Sequence, residues 1–143
     1  MTSVAEKIRS FEAAAGDWRP LEGLFAVCFA APVSSREIDA VFALFERYPE
    51  EDGAGVFWSG IHGLEAVGGY EDRLKSSLLR APSESAVALA IRMVNAGDAS
   101  FLPLIADVGS REAAPTRVRS LAMHYIAKKA NQAPQTTPLK RRV

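Results

Sequence analysis

His62 and Glu65 are the two side chains in this sequence whose types and spacing could support chemistry. Residues three apart share one face of a helix, so this imidazole and carboxylate could exchange a proton or hold a metal ion. A di-iron bundle needs two Glu-x-x-His motifs and two further glutamates, whereas this chain has the reversed order once. The pattern therefore favours a histidine bonded to Glu65 or to a neighbouring helix. We predict no metal and no cofactor.

Two other features that could signal an active site have simpler explanations. Cys28, the one cysteine, lies on an apolar stripe with no basic neighbour to lower its pKa, which favours a place in the core. The glycine-rich stretch at 52–60 has neither a preceding strand nor a following Lys-Ser/Thr pair, so it is not a phosphate-binding loop. We predict no catalytic residue.

Trp58 falls on the same helical stripe as His62 and Glu65 if residues 56–67 form a helix, because the three are spaced i, i+4, i+7. This stripe borders the predicted core stripe, so Trp58 is either partly buried core or an anchor for a partner, and the two interpretations weigh equally. Carboxylates flank the helix on both sides: Glu50, Glu51 and Asp52 precede it, and Glu71 and Asp72 follow it. We predict that these eight residues form a partner-binding face.

Charge is unevenly distributed along a chain whose net charge is zero. Residues 45–72 contain seven acids and one base, a balance of −6, and residues 111–143 contain eight bases and one acid, a balance of +7. The acidic segment predicts a basic protein partner. The basic segment argues less for nucleic acid, because Tyr125, the aromatic side chain there that could stack on a base besides His124, is predicted to face inward.

Helical periodicity and stop signals predict an all-α domain of seven to eight short antiparallel helices over residues 1–130. Ser3 and Glu6 form a predicted capping box, and Pro49 and Gly68 end the third and fourth helices. Short loops make neighbouring helices pair, and a HEAT-like stack of helical hairpins is one form of this prediction, although no strict sequence repeat supports it. Residues 131–143 are predicted to be a disordered basic tail. The predicted helices cover residues 2–15, 20–29, 35–48, 56–67, 70–80, 84–96, a short segment from about 103, and 115–130.

The location of the protein is predicted from three observations. No apolar run is long enough to span a bilayer, and the first residues lack the basic flank and long apolar region of a signal peptide. A single cysteine cannot form an internal disulfide. These observations favour a cytoplasmic protein without membrane association.

The segments ERYPEEDGAGVFWSGIHGLEAVGGYE and LLRAPSESAVALAIRMVNAG resemble small all-helical immunity proteins of bacterial polymorphic toxin systems, including contact-dependent inhibition, Rhs and type VI secretion cargo. The resemblance covers roughly residues 35–97. It implies a protein without catalysis that binds one cognate toxin domain in the cytoplasm and blocks its active site or its substrate access. The acidic, aromatic face could then occlude a basic active site. The alternatives are a helical-repeat adaptor or scaffold, or a small enzyme using His62 and Glu65.

Overall fold

Eight α-helices follow one another through residues 2–139, the part of the chain that this computed structural model describes. Short 3₁₀ turns at Ala14–Gly16 and Ala99–Phe101 precede the second and seventh helices. No strand occurs among these residues, which confirms the predicted all-α fold. The helices are α1 (Val4–Arg9), α2 (Arg19–Ala30), α3 (Ser35–Arg47), α4 (Phe57–Val67), α5 (Glu71–Arg80), α6 (Glu84–Asn95), α7 (Leu102–Ser110) and α8 (Thr116–Leu139).

The helices pack in two layers. The odd-numbered helices contact one another in succession, α1 with α3, α3 with α5 and α5 with α7, and the even-numbered helices do the same from α2 to α8. Within each consecutive pair, from α1 and α2 to α7 and α8, the two helices also touch. This is the contact pattern of stacked helical hairpins. The apolar helix α6 lies inside the stack, where it contacts α3, α4, α5, α7 and α8.

Serine caps begin three of the helices. The Ser3 hydroxyl accepts the Glu6 backbone N–H at 3.1 Å, and the Glu6 carboxylate accepts the Ser3 N–H at 3.1 Å, which is the predicted capping box. Ser34 and Glu37 form a second capping box at the start of α3. Ser83 caps α6 by accepting the Ala86 N–H at 3.0 Å. These caps satisfy backbone donors that a helix leaves unpaired at its start.

The first helix is shorter than the predicted segment 2–15, because it ends at Arg9. The guanidinium of Arg47 on α3 donates hydrogen bonds to the carbonyl oxygens of Arg9, at 2.7 Å, and Phe11, at 2.9 Å. These bonds satisfy carbonyl groups that another helical turn would otherwise have used. The chain then turns, and the Phe11 ring packs 5.9 Å from the ring of Trp18.

An aromatic cluster around Phe57, which is fully buried, joins the start of α4 to the end of α3 and to the residue before α2. Its ring centroid lies 5.4 Å from that of Trp18 and 5.5 Å from that of Phe45. Tyr48 contacts the same rings from the end of α3. Tilted and edge-on aromatic pairs of this kind add to the stability gained from burial. The first residue of α4 is therefore held firmly, and this fixes the direction in which Trp58 points.

Two glycines allow α4 to lie close against α2. A carbon at the Cβ position of Gly60 would lie 3.0 Å from Cζ of Phe25, and one at Gly63 would lie 2.4 Å from Cδ2 and Cε2 of Phe29. The second distance is well inside van der Waals contact. The side chains of α2 therefore occupy the space that a larger residue on α4 would need.

We expect Gly63→Ala to lower the free energy of unfolding. Overpacking costs about 1–3 kcal/mol, which outweighs the roughly 1 kcal/mol that alanine gains over glycine inside a helix. The control is Gly23→Ala on α2, where an added Cβ would meet nothing within 4 Å and should stabilise the protein slightly. Urea unfolding of both variants measures the difference. Equal stability of the two would show that Phe29 moves aside without cost.

The last helix begins as predicted and continues to Leu139, nine residues beyond the predicted end at Ala130. Residues 131–139, which were predicted to belong to a disordered tail, are therefore helical. The backbone of α8 continues through Asn131, by which point the helix was predicted to have ended. Residues 140–143, the rest of that tail, lie outside the described residues. None of the described helices combines the length and the hydrophobicity needed to cross a bilayer.

Candidate functional site

Helix α4 presents Trp58, His62 and Glu65 side by side, as their spacing predicts. Trp58 keeps 39% of its surface exposed. Its ring centroid lies 5.8 Å from that of His62, and Nδ1 of His62 lies 3.7 Å from Oε1 of Glu65. The core stripe of α4 lies beside this surface stripe, with Phe57, Ile61 and Leu64 buried. Trp58 is thus partly buried beside the core and partly exposed, and both interpretations of it stay open.

Arg92 on α6 completes this cluster and was missed by the sequence reasoning. Its Nε and Nη2 atoms donate to the two carboxylate oxygens of Glu65 at 2.5 and 2.9 Å, and its guanidinium carbon lies 5.9 Å from the centroid of the Trp58 ring. The hydrogen bonds from Arg92 lower the pKa of Glu65 and raise the pKa of Arg92. Glu65 therefore stays ionised, and the positive charge of Arg92 balances its negative charge. The signal was present in the sequence, because Glu65 is the one acid of α4 and Arg92 the one base of α6.

A groove of about 400 Å³ opens beside Trp58, between α4, α6, α8 and the loop before α4. We call it the Trp58 groove. Its apolar lining comes from three helices: Ile61, Ala88, Ile91 and Leu121. Its polar and amphipathic lining consists of Trp58, Glu51, Asp52, Glu84, Ser85 and Arg92. A concave apolar surface with a few polar groups at its edge is the usual form of a binding site.

The loop before α4 positions Glu51 and Asp52 at the edge of this groove. Gly53 has a φ of +61°, and a Cβ there would lie 2.9 Å from Cδ1 of Phe57, so only glycine fits. The Asp52 carbonyl accepts the N–H groups of Gly55 and Phe57, both at 3.0 Å, and the Glu51 carboxylate accepts the Gly53 N–H at 3.2 Å. The loop is thus bonded to the start of α4, which fixes the backbone that carries its two carboxylates.

The Trp58 groove has a negative balance, with three carboxylates and one guanidinium in its lining. Arg92 is compensated by Glu65, and Glu84 is compensated by Arg117 of α8 at 3.2 Å. Among the ion pairs of the described residues, none includes Glu51 or Asp52. These two carboxylates therefore have no cation of the described chain beside them.

Glu50 has a different role from its two neighbours. Its Oε2 atom accepts the backbone N–H of Arg117, the second residue of α8, at 2.8 Å. The N–H groups of the first helical turn have no partner within the helix, and a carboxylate there also favours the positive end of the helix dipole. Glu50 thus joins the loop before α4 to the start of α8. The acidic and basic segments of the sequence meet here inside the molecule.

We expect Glu50→Ala to destabilise the protein by about 1 kcal/mol, because it removes this cap. Glu50→Gln is the matched variant, since it keeps an oxygen acceptor but removes the charge, and should cost less. Thermal unfolding of the two variants separates the hydrogen bond from the charge. A variant Glu50→Ala as stable as the wild type would mean that water replaces the carboxylate at no cost.

Glu71 and Asp72 do not join the groove. They begin α5, where acidic residues suit the positive end of the helix dipole. Asp72 lines another cavity, of about 640 Å³, between α1, α3 and α5. Within that cavity Arg73 pairs with Asp39 at 2.6 Å and Arg80 pairs with Glu46 at 2.6 Å. The structure thus divides the eight predicted face residues: Glu51, Asp52 and Trp58 line the groove, His62 and Glu65 adjoin it, and Glu50, Glu71 and Asp72 lie elsewhere.

The remaining candidates for chemistry have surroundings that explain them. Cys28 is buried on α2, and burial raises the pKa of its thiol to about 11, as expected for a core cysteine. Among the described residues, no group of three or more His, Cys, Asp or Glu side chains converges on a point that could hold a metal ion. The prediction that the protein uses no metal remains a prediction, which elemental analysis of chelator-free protein would test.

Comparisons with known proteins add nothing to this site: no family model matches the chain, and no curated protein or solved structure matches it significantly.

Proposed function

We propose that this chain is an immunity protein, a cytoplasmic protein that binds and neutralises one cognate bacterial toxin domain and has no catalysis of its own. The observation that carries the proposal is an exposed tryptophan lining an apolar groove, beside two carboxylates that no ion pair of the described residues includes. Tryptophan is enriched among the residues that dominate binding energy. The resemblance of residues 35–97 to immunity proteins agrees with this use of the surface.

The charge of the groove indicates which kind of partner surface it would bind. Toxins that cleave nucleic acids need basic surfaces to hold phosphate groups. Glu51 and Asp52 could occupy such a surface as phosphate groups would, and their attraction to it would speed association. Neutralisation would follow from occupying the toxin's active site or its approach.

The enzyme alternative draws less support from this geometry. A general acid needs a raised pKa near the working pH, whereas Arg92 lowers that of Glu65. Both oxygens of that carboxylate also receive hydrogen bonds from Arg92. His62 therefore faces a carboxylate already committed to an ion pair.

The adaptor alternative is favoured by a specific observation, the stacking of four helical hairpins in two layers. Stacks of this kind form extended surfaces that bind other proteins. An adaptor would bind its partners without blocking an activity. An immunity protein would restore growth to a cell that contains the toxin.

The test starts from the neighbouring gene. The proposal expects the gene immediately upstream to encode a long secreted protein with a variable C-terminal domain. Induced expression of that domain alone should arrest growth, and co-expression of this chain should restore growth and yield a complex that purifies together. Absence of such a toxin domain upstream, or a domain that kills equally with and without this chain, would contradict the proposal.

A further inference from the structure

We propose that the Trp58 groove receives an arginine or lysine side chain of the bound protein, together with an apolar residue beside it. This inference rests on the proposed function for the identity of the partner, but it concerns the chemistry of the groove itself. The apolar lining would hold the aliphatic stem, and Glu51 and Asp52 would meet the cation.

The two halves of the groove match the two parts of such a side chain. Arginine and lysine lay their methylene groups along apolar surface while the charged end stays in a polar place. Ala88, Ile91 and Leu121, which are half-buried, offer the apolar surface, and Glu51 and Asp52 also line the groove. At about 400 Å³ the groove is at the small end of the roughly 300–1,000 Å³ typical of ligand pockets, which suits side chains better than a folded segment.

Charge complementarity selects a cation over other occupants. An apolar residue alone would remove water from Glu51 and Asp52 without supplying a counter-ion, and this is costly. An acidic residue would add repulsion. The guanidinium groups of Arg92, in the groove lining, and of Arg117, on α8, are already engaged, since Arg92 binds Glu65 and Arg117 binds Glu84.

Trp58 supplies a further attraction. Its ring already has the guanidinium of Arg92 within 5.9 Å of the centroid, which shows that cations can approach it in this surface. Glu65 cancels the charge of Arg92, so a second cation entering the groove would not meet an uncompensated positive group.

The experiment uses two blocked peptides that differ in one charge, acetyl-Leu-Arg-Leu-amide and acetyl-Leu-citrulline-Leu-amide. Each is titrated into the ¹⁵N-labelled full chain, and the indole N–H signal of Trp58 is followed, with that of Trp18 as an internal reference. We expect a saturable shift at Trp58 and a Kd about fivefold lower for the arginine peptide, the size of a solvent-exposed ion pair.

Variants of the protein locate the effect. The double variant Glu51→Gln, Asp52→Asn should remove the difference between the peptides, whereas Glu71→Gln, Asp72→Asn should preserve it. Equal Kd values for the two peptides, shifts confined to signals outside the groove, or no saturable shift would each overturn the inference. These outcomes are separate from growth rescue. Rescue of growth with equal Kd values for the two peptides would keep the proposed function and refute this inference. Tighter binding of the arginine peptide without rescue of growth would keep the groove's preference for a cation and refute the proposed function.

Discussion

Changing both Glu51 and Asp52 to lysine is expected to abolish neutralisation while the protein stays folded. The reversal places like charges opposite a basic partner, which costs several kcal/mol and slows association. A loss of roughly a hundredfold or more in affinity follows. Both side chains line the Trp58 groove and take no part in the ion pairs of the described residues. The fold should therefore lose only the hydrogen bond from the Gly53 N–H to the Glu51 carboxylate, which contributes about 1 kcal/mol.

The matched control is Glu71→Lys, Asp72→Lys, which makes the same charge change at the start of α5. The sequence groups these two residues with the others, but they do not line the groove. Growth rescue and association rates at low and high salt are the measurements. If both double variants lost affinity equally, general attraction would explain binding, and if neither did, the acidic residues would have no part in it.

Replacing Trp58 with alanine is expected to weaken binding chiefly by raising the dissociation rate. Truncating a tryptophan at the centre of an interface typically costs about 2–4 kcal/mol, or roughly 30-fold to 1,000-fold in Kd. Because the loss comes from contact area, it should depend little on salt, unlike the lysine reversal. Surface plasmon resonance with the toxin domain measures both rates.

Val27→Ala and Met123→Ala are the controls for this loss. These side chains are 61% and 56% exposed, and neither lines the groove. Their truncation should leave the dissociation rate within about twofold, because exposed residues outside an interface carry no binding energy. If Trp58→Ala and either control lost the same amount of affinity, the contact surface would not be centred on α4.

Local signals in the sequence predicted most of the helices, because the chemistry that starts and stops them lies close by. The capping box of Ser3 and Glu6 was predicted from two residues three apart, and Ser34 with Glu37 forms a second one with the same spacing. Pro49 and Gly68 mark helix ends because each restricts or permits specific backbone angles. The end of α1 was missed because the hydrogen bonds that replace its next turn come from Arg47, 38 residues from Arg9.

The candidate site was predicted in part for the same reason. The stripe of Trp58, His62 and Glu65 follows from helical spacing alone. The ion pair of Glu65 with Arg92 spans 27 residues, and the bond from Arg117 to Glu50 spans 67. Such contacts depend on which helices become neighbours, which the spacing of residues within one helix does not specify. Long-range packing therefore decides which acids remain available for a partner.

The Trp58 groove crosses three successive hairpins, since its lining comes from α4, α6 and α8. In a stack of hairpins each unit rests mainly on its neighbours, and opening begins at the ends. A protein bound in the groove would contact all three hairpins at once and would hold together units that could otherwise open separately. The bound chain would then unfold in one cooperative step. The terminal hairpin of α7 and α8 would be protected from proteases, although the partner contacts only α8 of that hairpin.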